Sequence, residues 1–276
     1  MVIDSHQHFW KYNEAQYPWM DDRMDKLRRD HLPADLEPLL KKAGMAGTIA
    51  VQARQSLDET RWLLDLAAEN GFIKGVVGWV DLRGERLEEE LSVFASNAKL
   101  KGVRHVIHDE PDDDFMMRGD FLRGIKKLAG FGLSYDILIF PRHLENAIKL
   151  AAMFDGQPFV VDHIAKPFIR KGLLEPWKSR MNRLAKAPNV YCKLSGMVTE
   201  AEWGDWRKDD IAPYMDVVLE AFGPERLMFG SDWPVCTVAA EYEQVVEIVR
   251  DFIDSLSSGE RAMIMGETAA GFYRIC

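Results

Sequence analysis

Two kinds of apolar pattern alternate along the chain. Short, nearly continuous apolar runs alternate with longer segments in which apolar side chains recur every three or four residues. The short runs predict buried strands, and the periodic segments predict amphipathic helices. The predicted strands cover residues 2–8, 47–52, 74–81, 101–107, 133–140, 159–163, 189–195 and 226–232. The predicted helices cover residues 33–42, 56–70, 87–98, 120–131, 142–154, 175–186, 212–222, 241–253 and 259–273.

Local signals mark the ends of the early helices. Pro33 begins the first helix and Gly44 follows its last turn. Ser56 and Glu59 have the spacing of a capping box, and Gly71 is placed to end that second helix. These signals support the boundaries that the periodicity predicts.

Eight strand-and-helix units in succession predict a parallel sheet covered by helices. The chain has 276 residues, close to the ~250 typical of a (β/α)8 TIM barrel. An open doubly wound sheet would carry a glycine-rich phosphate turn after its first strand, where this chain has histidines. Because no linker divides the chain, we predict an α/β fold, a single TIM-barrel domain over residues 1–276.

Composition and charge narrow the class of partner. Hydrophobic residues make up 47% and charged residues 29%, with a net charge of -9 and no long Lys/Arg run. This balance favours a small-molecule partner over nucleic acid or an anionic membrane. No signal-peptide pattern or membrane-length apolar stretch is present, so we expect a cytoplasmic protein. Cys192, Cys236 and Cys276 are widely spaced, which predicts reduced thiols rather than disulfides or a thiolate zinc site.

The polar residues at the predicted strand ends are the candidates for chemistry, because active sites of such barrels lie there. His6 and His8 are two apart, so their side chains point to the same side of the first strand. A lone His-x-His pair leaves a metal site and an ordinary surface or core pair both open. His163 and Asp232, at two other strand ends, extend the set to three imidazoles and a carboxylate. Such a set can bind one zinc ion.

Other side chains on this rim, and in the long first loop, are candidates for binding a substrate. The strand ends carry Gln52, Trp79, Arg104, His105, Lys166 and Lys193. The loop at residues 9–31 is rich in aromatics, among them Trp10, Tyr17 and Trp19. A loop of this length in a compact domain is usually functional. Simple core packing is the alternative for the aromatics, and strand capping the alternative for the two lysines.

Five motifs together resemble the amidohydrolase superfamily. They are DSHQHFW at 4–10, GWVD at 78–81, KGVRH at 101–105, DHIAKP at 162–167 and GSDWP at 230–234. Within the superfamily they are most similar to the branch that contains sugar-acid lactonases, such as those acting on fuconolactone and rhamnonolactone. The resemblance covers essentially the whole chain.

This resemblance implies hydrolysis of a sugar-acid lactone by an activated water. Asp232 is then the base, and His163 and Arg104 polarise the carbonyl together with any metal. Trp10, Tyr17, Trp19 and Trp79 offer apolar faces to the sugar, while Gln52, His105, Lys166 and Lys193 complete the substrate-binding set. The implied metal ligands are His6, His8, His163 and Asp232.

The chain departs from the superfamily pattern in two respects. No lysine matches the carboxylated ligand that bridges two metals, and Lys193 stands nearest to where a second late-strand histidine is expected. We therefore expect one divalent metal, zinc, and not a binuclear centre. Catalysis without metal, as in some lactonases of this branch, stays open.

Three alternatives remain at this stage. A pyrone-dicarboxylate lactonase or a metal-dependent decarboxylase would need several arginines for the substrate carboxylates, and Arg104 is the only one on a predicted strand end. A non-catalytic sugar-acid-binding barrel would not need Asp232 and the histidines. The sequence leaves the oligomeric state open, and a homodimer is one arrangement compatible with it.

Overall fold

Eight parallel strands form one sheet in which the strand order follows the sequence order. In the computed structural model, which describes residues 1–275, the strands are β1 Ile3–Gln7, β2 Gly47–Val51, β3 Ile73–Gly78, β4 Leu100–Val106, β5 Ser134–Leu138, β6 Phe159–Val161, β7 Val190–Leu194 and β8 Leu227–Phe229. The principal helices are α1 Pro33–Lys42, α2 Leu57–Glu69, α3 Leu87–Ala95, α4 Gly119–Leu128, α5 Leu144–Met153, α6 Trp177–Leu184, α7 Lys208–Phe222 and α8 Tyr242–Phe252. The predicted TIM barrel is confirmed. Cys276 lies outside the described residues.

The barrel closes between the last and the first strand. The backbone N–H of Asp232 donates to the carbonyl of His6 at 2.8 Å, and that of His8 donates to the carbonyl of Trp233 at 2.7 Å. Gly230 makes this approach possible, because a Cβ there would lie 2.6 Å from the Cβ of His6. The chain after β8 is thereby joined directly to the end of β1.

Each strand ends one to three residues before its predicted limit, and two of these departures shape the site. β6 ends at Val161, and residues 163–166 form a left-handed turn with φ values of 54, 47, 59 and 50° at four residues that are not glycine. β8 ends at Phe229, and Asp232 has a φ of 59°. Both departures re-aim side chains at the carboxyl end of the barrel. The residue types in these two segments do not predict a positive φ, because only glycine adopts it without a steric cost.

The first loop is more ordered than its sequence pattern indicates. It contains two short 3₁₀ helices, Glu14–Gln16 and Asp22–Leu27. Trp10, Tyr17, Met20 and Leu27 pack together as a small core of their own. The indole N–H of Trp10 donates to the carbonyls of Leu27 and Arg29, which ties the loop back on itself. This loop therefore forms a fixed wall over the barrel end.

The helix predicted at 259–273 is interrupted. It consists of Ser258–Ala262, a π-helical turn Met263–Glu267 and Thr268–Phe272. The interruption places Gly266 against the backbone of β1, where a Cβ would lie 2.1 Å from the carbonyl oxygen of Met1. Tyr273, which follows, is fully buried under the barrel. Across residues 1–275, no helix combines the length and apolar character needed to cross a bilayer.

The start of α2 confirms half of the predicted capping box. The hydroxyl of Ser56 accepts the N–H of Glu59 at 3.4 Å. The carboxylate of Glu59 instead accepts the N–H groups of Ala53 and Arg54, at 3.0 and 2.8 Å. Glu59 thus orders the loop after β2 rather than its own N-cap.

Candidate active site

The two histidines of β1 converge as their spacing predicts. Their Nε2 atoms are 3.2 Å apart, and both side chains are almost fully buried. His8 Nδ1 lies 2.8 Å from the carbonyl oxygen of Val51 on β2. A carbonyl can only accept, so His8 carries its hydrogen on Nδ1 and presents the lone pair of Nε2 to the site.

Asp232 reaches this pair from the chain after β8. Its Oδ1 lies 3.3 Å from His8 Nε2 and 3.8 Å from both His6 Nε2 and His163 Nε2. Burial alone would raise its pKa, but the three surrounding imidazoles, His163 first among them, hold the pKa below its usual range. Asp232 is therefore a carboxylate at neutral pH.

His163 is aimed by the left-handed turn after β6. Its Nδ1 lies 2.9 Å from Ser195 Oγ, and its backbone N–H donates to the same oxygen at 3.3 Å. Gly196 packs against the imidazole, since a Cβ there would lie 2.5 Å from Nδ1. Burial lowers the pKa of His163 to about 4, so the ring is neutral near pH 7.

A second layer of charged side chains lies deeper in the barrel. Arg104 donates through NH1 to Asp162 Oδ2 at 3.0 Å, and through Nε to Gln52 Oε1 at 3.0 Å. Lys193 Nζ lies 2.9 Å from Asp162 Oδ1 and donates to Asp136 Oδ2 at 2.5 Å. All of these groups are at least nine-tenths buried, so each charge depends on its partner.

Above the histidines and Asp232 lies a cavity of about 330 Å³. Seven of the residues that the sequence analysis singled out line it: His8, Trp10, Trp19, Arg104, His163, Lys166 and Asp232. His6 closes the floor without contacting solvent. Trp19 is 38% exposed at the rim. The cavity thus joins the candidate base to the aromatic wall of the first loop.

Five residues predicted to bind substrate lie behind the cavity wall instead. Tyr17 packs between the first loop and Arg54, with the guanidinium 5.5 Å from its ring centre. The side-chain oxygen of Gln52 accepts a hydrogen bond from Arg104, and Lys193 forms salt bridges with Asp136 and Asp162. These last two side chains are fully buried. Direct contact with a substrate in the cavity would require each to leave its partner.

Trp79 and His105 form the remaining part of this group. The indole N–H of Trp79 donates to His105 Nδ1 at 3.2 Å, and His105 Nε2 lies 2.7 Å from Glu110 Oε1. The His105 ring also stacks on Phe115 at 4.8 Å. Neither is among the described residues that line the cavity. Their position favours the packing alternative for Trp79.

Eleven further residues line the cavity without having been assigned a role from the sequence, among them His108, Thr199, Glu200 and Trp203. Glu200 accepts from Lys166 Nζ at 2.6 Å, so the two charges neutralise each other at the cavity wall. The guanidinium of Arg23 lies 5.3 Å from the ring centre of Trp203. This contact links the first loop to the loop after β7. In the sequence, the tryptophans of the loop after β7 were the one indication that this loop contributes to the site.

The residues present fit a divalent metal. His6, His8 and Asp232 each offer one ligand atom, and these atoms lie within 4.8 Å of one another. Two imidazole nitrogens and a carboxylate oxygen are ligands that zinc accepts, and three protein ligands leave a position for water. A second group, His6, Asp162 and His163, meets the same distance criterion but shares its carboxylate with Arg104 and Lys193. The first group is the better candidate.

The sequence profile of the amidohydrolase family matches residues 3–275. The chain belongs to this family. Among characterised proteins, this amidohydrolase is similar to an L-fucono-1,5-lactonase of Burkholderia multivorans. The two are 43% identical over an alignment of 284 positions, which covers 99% of this chain and 96% of the relative. The resemblance noted from the motifs is confirmed.

Solved structures extend the comparison. A crystal structure of an amidohydrolase from Burkholderia multivorans with bound zinc has a TM-score of 0.97 and 43% identity, covering 100% of both chains. A probable 2-pyrone-4,6-dicarboxylic acid hydrolase of Acinetobacter baumannii has a TM-score of 0.79 at 14% identity, covering 99% of both chains. At that identity the second likeness shows the shared fold alone.

Proposed function

We propose that this amidohydrolase hydrolyses the lactone of a six-carbon or 6-deoxy sugar acid, with L-fucono-1,5-lactone as the first candidate. The observation that carries the proposal is a buried, ionised Asp232 held against His6, His8 and His163 on the floor of the cavity. The full-length similarity to an L-fucono-1,5-lactonase supports the substrate class.

Asp232 acts as the general base. It takes a proton from a water molecule, and the oxygen of that water forms a bond to the lactone carbonyl carbon. When the tetrahedral intermediate collapses, the bond from that carbon to the ring oxygen breaks. The ring oxygen leaves as an alkoxide and receives the proton back from Asp232, which restores the carboxylate and releases a sugar acid.

His163 stabilises the negative charge on the carbonyl oxygen. Ser195 Oγ already accepts the backbone N–H of His163, so its own hydrogen is free to donate to Nδ1. That bond puts the hydrogen of the neutral imidazole on Nε2, which faces Asp232 across 3.8 Å. An N–H donor at this place can bind the developing oxyanion. Arg104, which also lines the cavity, adds a fixed positive charge nearby.

His6, His8 and Asp232 would hold one zinc ion. A zinc ion there would supply Lewis acidity, polarising the carbonyl and making nearby water easier to deprotonate. Asp232 has two carboxylate oxygens, so one could bind the zinc ion while the other takes the proton from water. His163, with its hydrogen on Nε2, acts as a donor in this arrangement and not as a fourth ligand.

The charges of the cavity favour a neutral substrate. Its lining residues include two permanent cations, Arg104 and Lys166, and both are paired, with Asp162 and Glu200. Recognition of two carboxylates requires free, fork-like donors. A dicarboxylated pyrone would also meet the negative charge of Asp232. This argues against the dicarboxylate lactonase and the decarboxylase as alternatives.

A panel of lactones tests the proposal directly. We expect a pH-indicator assay to show higher kcat/KM for L-fucono-1,5-lactone than for a pyrone dicarboxylate. Asp232→Asn should lower kcat by roughly 10²-fold to 10⁴-fold, because the amide keeps the shape but cannot take a proton. Parent-level hydrolysis by this variant, or a clear preference for the dicarboxylate, would contradict the proposal.

A further inference from the structure

His6 has two different neighbours at its inner ring nitrogen. Nδ1 lies 3.1 Å from the ammonium of Lys193 and 3.3 Å from the carboxylate oxygen Oδ1 of Asp162. The ammonium can only donate a hydrogen bond and the carboxylate can only accept one. The same nitrogen can therefore pair with Lys193 when it is bare, or with Asp162 when it carries the hydrogen.

The outer nitrogen of His6 has a matching pair of options. Nε2 lies 3.2 Å from His8 Nε2 and 3.3 Å from Arg104 NH1. His8 keeps its hydrogen on Nδ1 because it faces the carbonyl of Val51, so its Nε2 is an acceptor. A hydrogen on His6 Nε2 would thus be bonded to His8, whereas a bare Nε2 can accept from Arg104 NH1 and places its lone pair beside that of His8.

These contacts define two complete hydrogen-bond arrangements for a neutral His6. In the first, Lys193 donates to Nδ1 and Nε2–H donates to His8. In the second, Nδ1–H donates to Asp162, and neither His6 Nε2 nor His8 Nε2 carries a hydrogen. Only the second arrangement can bind a cation through both histidines, since a protonated ring nitrogen has no lone pair to offer.

The geometry points to Asp162 as the positioning residue that prepares His6 for metal, with Lys193 stabilising the metal-free tautomer. On metal binding the hydrogen of His6 moves from Nε2 to Nδ1, and the ring remains neutral. The inference rests on the metal site proposed above, and adds how the chain switches that site between its two states.

The surroundings hold Asp162 in place for this task. Arg104 binds its Oδ2 at 3.0 Å, and Lys193 lies 2.9 Å from its Oδ1. Lys193 is itself anchored by Asp136, which accepts the phenol hydrogen of Tyr273 at 2.8 Å. A carboxylate behind a metal-binding histidine commonly fixes the tautomer, and its loss costs 10-fold to 100-fold in metal affinity. Asp162 has this relation to His6.

The tautomer of His6 can be read without any variant. Protein labelled with ¹⁵N in histidine, freed of metal with a chelator and then titrated with zinc, reports which ring nitrogen carries the hydrogen. We expect His6 to carry it on Nε2 without metal and on Nδ1 with zinc bound. The same tautomer in both states would overturn the inference. Absence of any zinc binding would overturn the proposed metal site as well.

A variant separates Asp162 from the ligands themselves. Asp162→Asn should raise the zinc Kd by roughly 10-fold to 100-fold, measured by competition with a chromogenic chelator. Tyr273→Phe is the control, because it removes a buried hydrogen bond from the same network without touching His6. Because the Tyr273 hydroxyl reaches His6 only through Asp136 and Lys193, the zinc Kd of this control should change far less than that of Asp162→Asn. An unchanged Kd in a folded Asp162→Asn protein, or an equal loss in both variants, would refute the assignment.

Discussion

Gly196 gives the sharpest test of how the site is built. It follows β7 with a φ of +60°, and a Cβ added there would lie 2.5 Å from Nδ1 and 2.6 Å from Cγ of His163. Ordinary van der Waals contact begins near 3.4 Å. In a Gly196→Ala variant the imidazole must therefore retreat by about 1 Å, which also disrupts its 2.9 Å contact with Ser195.

The expected loss follows from that displacement. A misplacement of about 1 Å in a catalytic group can cost on the order of 10²-fold in rate. The left-handed backbone adds a separate stability cost of roughly 1–2 kcal/mol, because a Cβ is unfavourable at this φ. We therefore predict that Gly196→Ala lowers kcat/KM for L-fucono-1,5-lactone by about 100-fold and Tm by a few degrees.

Gly172 provides a matched control. It has a φ of +63°, and a Cβ there meets nothing within 4 Å. Gly172→Ala thus carries the same backbone cost and the same change in unfolded-state entropy, without contact to His163. Steady-state kinetics and thermal unfolding of the two variants separate strain from the catalytic effect. Equal kcat/KM in both would refute the role given to His163.

The other predictions concern substrate, metal and pH. Trp19→Ala should raise KM more than it lowers kcat, because a rim side chain binds substrate and transition state alike; a fall in kcat alone would contradict this. Elemental analysis of zinc-loaded protein should find one ion per chain, since the ammonium of Lys193 already lies between the inner carboxylates; two tightly bound ions would disprove it. Burial raises the pKa of Glu59 to about 7. Between pH 4.5 and 7 the folded state therefore keeps a proton that the unfolded chain has lost. The free energy of unfolding should accordingly fall as pH rises from about 4.5 to 7. Glu59→Gln should remove up to about 3 kcal/mol of that decline, visible as a flatter Tm profile, and an unchanged profile would refute the assignment.

The order of strands and helices could be read from the sequence because each element has its own apolar period. The strand ends were less accessible. Residues 159–163 continue an apolar run, yet the strand stops at Val161 and His163 enters a left-handed turn. Tertiary contacts with Ser195 stabilise that conformation, and a local pattern contains no information about them.

Part of the candidate site was accessible in the same way. His6 and His8 share a side of β1 by spacing alone, whereas their meeting with Asp232 depends on the closure of the barrel. Lys193 was a candidate for binding substrate because it lies at a predicted strand end, yet its side chain is fully buried, which is rare for lysine. The register pairs Val161 with Cys192, which brings Asp162 level with Lys193 inside the barrel. Only the register of β6 against β7 shows that Asp162 is a partner of Lys193.

The charge arrangement suits a reaction that begins with a neutral molecule and ends with an anion. Hydrolysis of a lactone creates a carboxylate inside a cavity that already contains the carboxylate of Asp232. The cations that line the cavity, Arg104 and Lys166, are already engaged by Asp162 and Glu200. A product anion would have to displace one of these partners to gain a salt bridge. The same pairing that disfavours dicarboxylate substrates therefore favours release of the sugar acid.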